Sequence, residues 1–126
     1  MRQHDDLVNA YLEHAEAVSL RGHTGDPPAA YEEVESLVRN DPDAAWDVVQ
    51  ELVRRAARDE VLAYVAAGPL ENLLCNHPYA VIDRVEALAA QDAHFRRALS
   101  GVWGWERIPP DLLARIDALF GDEPRL

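Results

Sequence analysis

A chain of 126 residues, 48% of them apolar, is long enough for one domain with a single core and too apolar to stay disordered. Its 23 acids against 12 bases leave a net charge of −11, which repels phosphate backbones and anionic lipid and argues against nucleic acid or a membrane surface as partner. Ala, Leu, Glu and Arg dominate while Ile, Phe and Thr are scarce, so the composition points to an all-α fold.

Taken in order, residues Asp5 to Leu20 read as a first helix, with Leu7, Val8, Tyr11, Leu12, Ala15 and Val18 as its apolar stripe. Asp5 and Asp6 sit where the helix dipole favours negative charge. Arg21-Gly22-His23-Thr24-Gly25-Asp26-Pro27-Pro28 is a loop by composition and the expected mobile segment. A second helix points Tyr31, Val34, Leu37 and Val38 inward and Glu32, Glu33 and Glu35 outward. Asp41-Pro42 is an N-cap followed by a first-turn proline, which launches a third helix to about Arg58. Its inward face is Ala45, Trp46, Val48, Val49, Leu52, Val53 and Ala56.

Asp59 is the expected cap of a fourth helix, with Val61, Leu62 and Val65 inward. Gly68 is expected to end it in the left-handed conformation, and Pro69 to start a fifth helix carrying Leu70, Leu73 and Leu74. After His77-Pro78, a sixth helix from about Tyr79 to Ala90 buries Val81, Ile82, Val85, Leu88 and Ala89. Asp92 caps a seventh with Phe95, Leu99 and Val102. Trp103-Gly104-Trp105 and Ile108-Pro109-Pro110 redirect the chain, and Asp111 to Phe120 forms the last helix, stopped by Gly121. No strand pattern survives. The expected architecture is a single domain of seven or eight short helices in antiparallel hairpins, in a short right-handed curl of the HEAT or armadillo kind. Within residues 1–126 it divides into an acidic N-terminal helix (1–21), a mobile loop (22–29) and a helical core (30–121).

The charge is uneven: residues 1–38 hold eight acids and two bases. All the basic side chains are Arg, which codon bias in a GC-rich bacterial genome accounts for. The start shows no apolar run of the signal-peptide kind, and no stretch approaches the roughly 20 apolar residues that cross a bilayer. The lone Cys75 cannot form an internal disulfide. A cytoplasmic location fits these features.

Trp46-Asp47-Val48-Val49-Gln50-Glu51-Leu52 and Ile82-Asp83-Arg84-Val85-Glu86-Ala87-Leu88 share an acid, a Val and a Leu at an offset of 36 residues. That is a helical-hairpin repeat period, and equally a match that two amphipathic helices make by chance. The run from Asp41-Pro42-Asp43-Ala44-Ala45-Trp46 through Ala66-Ala67-Gly68-Pro69-Leu70-Glu71-Asn72-Leu73-Leu74 resembles a bacterial helical domain family of unknown function, which pairs an Ala-Trp helix with an Ala-Gly-Pro-Leu-Glu junction. The resemblance extends over residues 40 to 105, through Phe95 and Trp103. It implies the helical fold and carries no activity or catalytic residues.

Four residues make the candidate binding surface: Glu71, His77, Trp103 and Trp105. Glu71 is a carboxylate at a helix start, able to hold a cationic group or simply to offset the helix dipole. His77 lies near it, and with Cys75 it could form a nucleophilic pair or ligate metal. However, positions two apart diverge on a helix, and His4, His14, His23 and His94 fit no ligand spacing. No catalytic residue, metal or cofactor is therefore expected. Arg54, Arg55, Arg58, Arg96 and Arg97 read as solvated faces, with Glu51–Arg55 and Asp92–Arg96 as pairs, because no glycine-rich phosphate loop accompanies them. Trp103 and Trp105 alternate across a turn. Either both close the end of the core, or one seals it and the other is left as an exposed interface anchor.

The expected function is non-catalytic binding of another protein, one that is basic if charge decides it. The narrower form is an immunity-type inhibitor of a basic toxin or nuclease. The rival is a small-ligand binder or enzyme using Glu71 and His77.

Overall fold

The computed structural model describes residues 4–126. Among them run α1 (Asp5–Arg21), α2 (Ala29–Asn40), α3 (Pro42–Arg55), α4 (Asp59–Val65), a π-helical turn (Ala66–Leu70), α5 (Glu71–Asn76), α6 (Pro78–Gln91), α7 (Ala93–Leu99), a 3₁₀ turn (Trp105–Arg107) and α8 (Pro110–Asp117). No strand occurs among the described residues, and the fold is all-α.

Local chemistry sets most boundaries where the residue types demand them. Gly22, with φ of 68°, closes α1 in the left-handed region, its N–H donating to the Val18 carbonyl at 3.2 Å. The Asp41 carboxylate accepts the Ala44 N–H at 3.2 Å, and Pro42 takes the first helical position of α3. Asp92 likewise accepts the Phe95 N–H at 3.1 Å. Asp59 departs from expectation. Arg58 occupies the cap position of α4, and Asp59, already helical, spends its carboxylate on Arg97 of α7 at 2.8 Å. Helix α3 ends at Arg55, three residues early. Helix α7 ends at Leu99, so buried Val102 packs from a turn, and α8 ends at Asp117.

The largest departure is at Gly68-Pro69. No residue there has positive φ; among the described residues only Gly22 and Gly121 do. Val65, Leu70 and Glu71 all keep right-handed helical angles, so α4, the π turn and α5 form one uninterrupted helical run. The expected break is a widened turn. Proline has no N–H for the α-helical ladder and its ring crowds the carbonyl four residues back, and a π turn carries the chain past such a position. Pro69 is buried within that turn.

Helix α3 is the central element, in contact with α1, α2, α4, α5, α6 and α7. Its Ala45, Trp46, Val48, Val49, Leu52 and Val53 are all buried, as the apolar periodicity requires. Trp46 meets Phe95 of α7 edge to face, centroids 5.6 Å apart. Buried residues from all eight helices join in one cluster. Helix α1 lies against α4 and α2, and this three-sided corner holds the pocket described next.

Candidate functional site

Glu71 is half-buried at the start of α5, and its carboxylate reaches across the fold rather than into its own helix terminus. Oε1 accepts the backbone N–H of Trp103 at 3.0 Å, and Oε2 accepts Nη2 of Arg107 at 2.6 Å. Gly104 makes this approach feasible: a Cβ built there would sit 2.7 Å from Oε2 of Glu71 and 2.9 Å from Nη2 of Arg107. The dipole-capping role is thus corrected to a clamp that fixes the segment between α7 and α8. Trp105, beyond the clamp, packs against the core, while Trp103 is 67% exposed. The two indoles do diverge, with one sealing the core and the other facing solvent.

The other sequence candidates are spoken for separately. His77 donates Nε2–H to the Arg39 carbonyl at the end of α2, at 3.1 Å, and shares no partner with Glu71. The Cys75 thiol lies 3.9 Å from the Gly104 carbonyl, and burial pushes its pKa up, so its thiolate is disfavoured. His94 donates to the Val53 carbonyl at 2.8 Å. Arg54 pairs with Glu51, Arg97 with Asp59, and Arg96 with Glu123 rather than with Asp92. No group of three or more potential metal-ligating side chains occurs among the described residues.

Apart from these residues, the structure holds a pocket of about 220 Å³ lined by Tyr11, Tyr31, Tyr64, Ala67 and Gly68. Tyr11 comes from α1, Tyr31 from the first turn of α2, Tyr64 from α4, and the last two from the π turn. The Tyr11 and Tyr31 rings are parallel within 6°, centroids 6.2 Å apart; the Tyr64 ring lies 6.2 Å from Tyr11 at 50°. His14, one turn after Tyr11, stands edge-on to Tyr31 and Tyr64 and shares a 3.1 Å hydrogen bond with the Tyr64 hydroxyl. Burial holds the His14 pKa below its ordinary value, with His23 adding to the effect, which favours the neutral imidazole.

Tyr11 is only 1% exposed, yet its hydroxyl has no hydrogen-bond partner among the described residues. No side-chain oxygen or nitrogen there is both sealed off and unpaired, so this hydroxyl opens on the pocket. It faces Gly68, where a Cβ would stand 3.4 Å from it. Burial raises the pKa of all three phenols, with the neighbouring tyrosines next for Tyr11 and Tyr64 and Glu35 next for Tyr31, so they remain protonated.

In the sequence, Tyr11 and Tyr31 read as core residues and Gly68 as a helix cap. Tyr64 carries no role there. The usable signal was spacing: Tyr11 with His14, and Tyr64 with Gly68, fall three and four residues apart, on common helix faces. Their convergence depends on α1 packing against α4, which no local pattern reports.

The chain belongs to a family of unknown function, DUF6869, whose model matches residues 24–123. The match takes in Tyr31, Tyr64, Ala67 and Gly68 and begins after Tyr11 and His14. No curated protein and no solved structure matches the chain. No helix among the described residues is long and apolar enough to cross a membrane.

Proposed function

We propose that this chain is a non-catalytic binding module whose partner is a basic protein, docked on the face made by α1 and α2. The observation that carries the reading is a set of α1 and α2 carboxylates that pair with no arginine among the described residues, on the same two helices that supply Tyr11 and Tyr31 to the aromatic pocket. Asp6, Glu13, Glu16, Glu32, Glu33 and Glu35 pair with no arginine among the described residues, whereas the acids of the clamp and of α3 to α8 largely do. Unpaired like charges repel one another, and a cationic surface laid over them relieves that repulsion while speeding encounter. An inhibitor of a basic nuclease or toxin is the narrowest form of this reading.

The test is capture from the native host on the wild-type chain and on a Glu32→Gln/Glu33→Gln/Glu35→Gln variant in parallel. Basic proteins held by the wild type and lost by the variant are the expected result. Capture of nothing above background, or of the same proteins by both, overturns the reading.

A further inference from the structure

The half-buried Tyr31 and Tyr64 and the buried Tyr11 line an open pocket whose remaining side is Ala67 and Gly68, which offer no side-chain polar group. At about 220 Å³ it is smaller than the roughly 300–1,000 Å³ of pockets for drug-sized ligands, so a head group fits rather than a whole molecule. We propose that the pocket bounded by Tyr11, Tyr31, Tyr64, Ala67 and Gly68 binds a methylated ammonium group. The proposal rests on the binding reading above only for the sign of the ligand's charge.

The chemistry selects among cations. Aromatic faces attract a cation through the ring quadrupole, and strongly so when the site is desolvated. A guanidinium carries five N–H donors and a primary ammonium three, all of which need acceptors. Here the Tyr64 hydroxyl is already engaged by His14, no carboxylate lines the pocket, and the Tyr11 and Tyr31 hydroxyls are too few to accept from three or five donors. A quaternary ammonium has no donors to satisfy and a looser hydration shell to lose. Glu35, one turn beyond Tyr31 on the same face of α2, places a carboxylate beside the pocket without lining it. The Tyr11 hydroxyl remains free for an oxygen or nitrogen carried next to the cation, such as the hydroxyl of choline. The same head group could arrive on a free small molecule or on a methylated lysine of the basic partner.

The test follows backbone amide NMR signals of the full chain during titration with choline, then with its uncharged tert-butyl analogue. Saturable shifts centred on Tyr31, Tyr64, Ala67 and Gly68 are expected, with the analogue about tenfold weaker. Gly68→Ala narrows the pocket without touching an aromatic face, and in a helical backbone it is tolerated or stabilising. It should weaken choline severalfold at an unchanged or higher melting temperature, and half-exposed Tyr31→Leu should weaken it further. Equal binding of the uncharged analogue, shifts elsewhere on the surface, or full affinity in both variants overturns the proposal. A trimethyl-lysine peptide binding much more tightly than choline assigns the head group to a protein, and equal binding assigns it to a free molecule. Choline binding that fails while the acidic face still captures basic proteins removes the pocket and leaves the module standing. The reverse outcome removes the protein partner and keeps the pocket.

Discussion

On α1 and α2, six carboxylates stand without an arginine among the described residues, while from α3 onward Glu51, Asp59, Glu71, Asp83, Glu86 and Glu123 each hold one. The second region uses charge to join its elements. Arg97 ties α7 to α4, Arg115 ties α8 to Asp83 and Glu86 of α6, and Glu71 ties α5 to the 3₁₀ turn. The first region is joined to the rest mainly by apolar and aromatic contact; its polar links among the described residues include Asp5 and Asn9 to Arg55 of α3 at 2.6 and 2.7 Å, His14 to the Tyr64 hydroxyl, and the Arg39 carbonyl to His77. The difference separates two tasks. Paired carboxylates add little each at the surface but fix geometry, whereas unpaired ones leave a field that something outside the molecule can use.

Tyr11→Ala should break the comparison most severely. It removes a buried ring that α1, α2 and α4 share, and should lower stability by about 3–5 kcal/mol in urea unfolding. Tyr11→Phe, which keeps the ring and drops the free hydroxyl, should be close to neutral in the same assay. In the paired region, Gly104→Ala forces the Glu71–Arg107 clamp apart and should cost about 1–3 kcal/mol, with the largest amide shifts at Trp103 to Arg107. Asp92→Ala removes the cap of α7 and should cost about 1 kcal/mol by thermal unfolding.

The smallest effect separates the regions by salt. Added salt should stabilise the wild type slightly by screening its repulsion, and should do so less for the Glu32→Gln/Glu33→Gln/Glu35→Gln variant. Equal salt responses would show that the α2 carboxylates do not repel one another enough to matter.

The pocket also carries its own pH dependence. His14 has a lowered pKa, so below the ordinary histidine value the unfolded chain takes up a proton before the folded one does. Its contribution to stability is therefore full above that value and lost as the pH falls. The phenols of Tyr11, Tyr31 and Tyr64 have raised pKa values, so their contribution is full below about 10 and lost on the alkaline side. His14→Gln should flatten the acid limb of a stability-against-pH curve measured by urea unfolding and leave the alkaline limb in place.

Periodicity made α3 legible down to its buried side chains, because a central helix must hide a broad face and its sequence records which one. The caps at Asp41 and Asp92 were legible for a similar reason: each is a contact across three residues. Gly68 and Pro69 misled because the same two residue types serve both a helix end and a helical run. Only the packing of Pro69 into the core decides between them. Glu71 stands at a helix start, yet its partners lie 32 and 36 residues onward. The pocket was invisible for the same reason, since its three tyrosines come from three helices and each looks locally like core.

The pocket and the acid beside it on α2 are linked through the charge of the ligand that both favour. Calorimetric titration of the intact wild-type chain and of Glu35→Gln with a trimethyl-lysine peptide tests this link most directly. Glu35 stands one turn beyond Tyr31 on α2, adds to the raised pKa of all three phenols, and does not line the pocket. A several-fold loss of affinity in the variant at low salt, narrowing as salt is added, is the predicted result. Equal affinity for both proteins at every salt concentration would contradict the account.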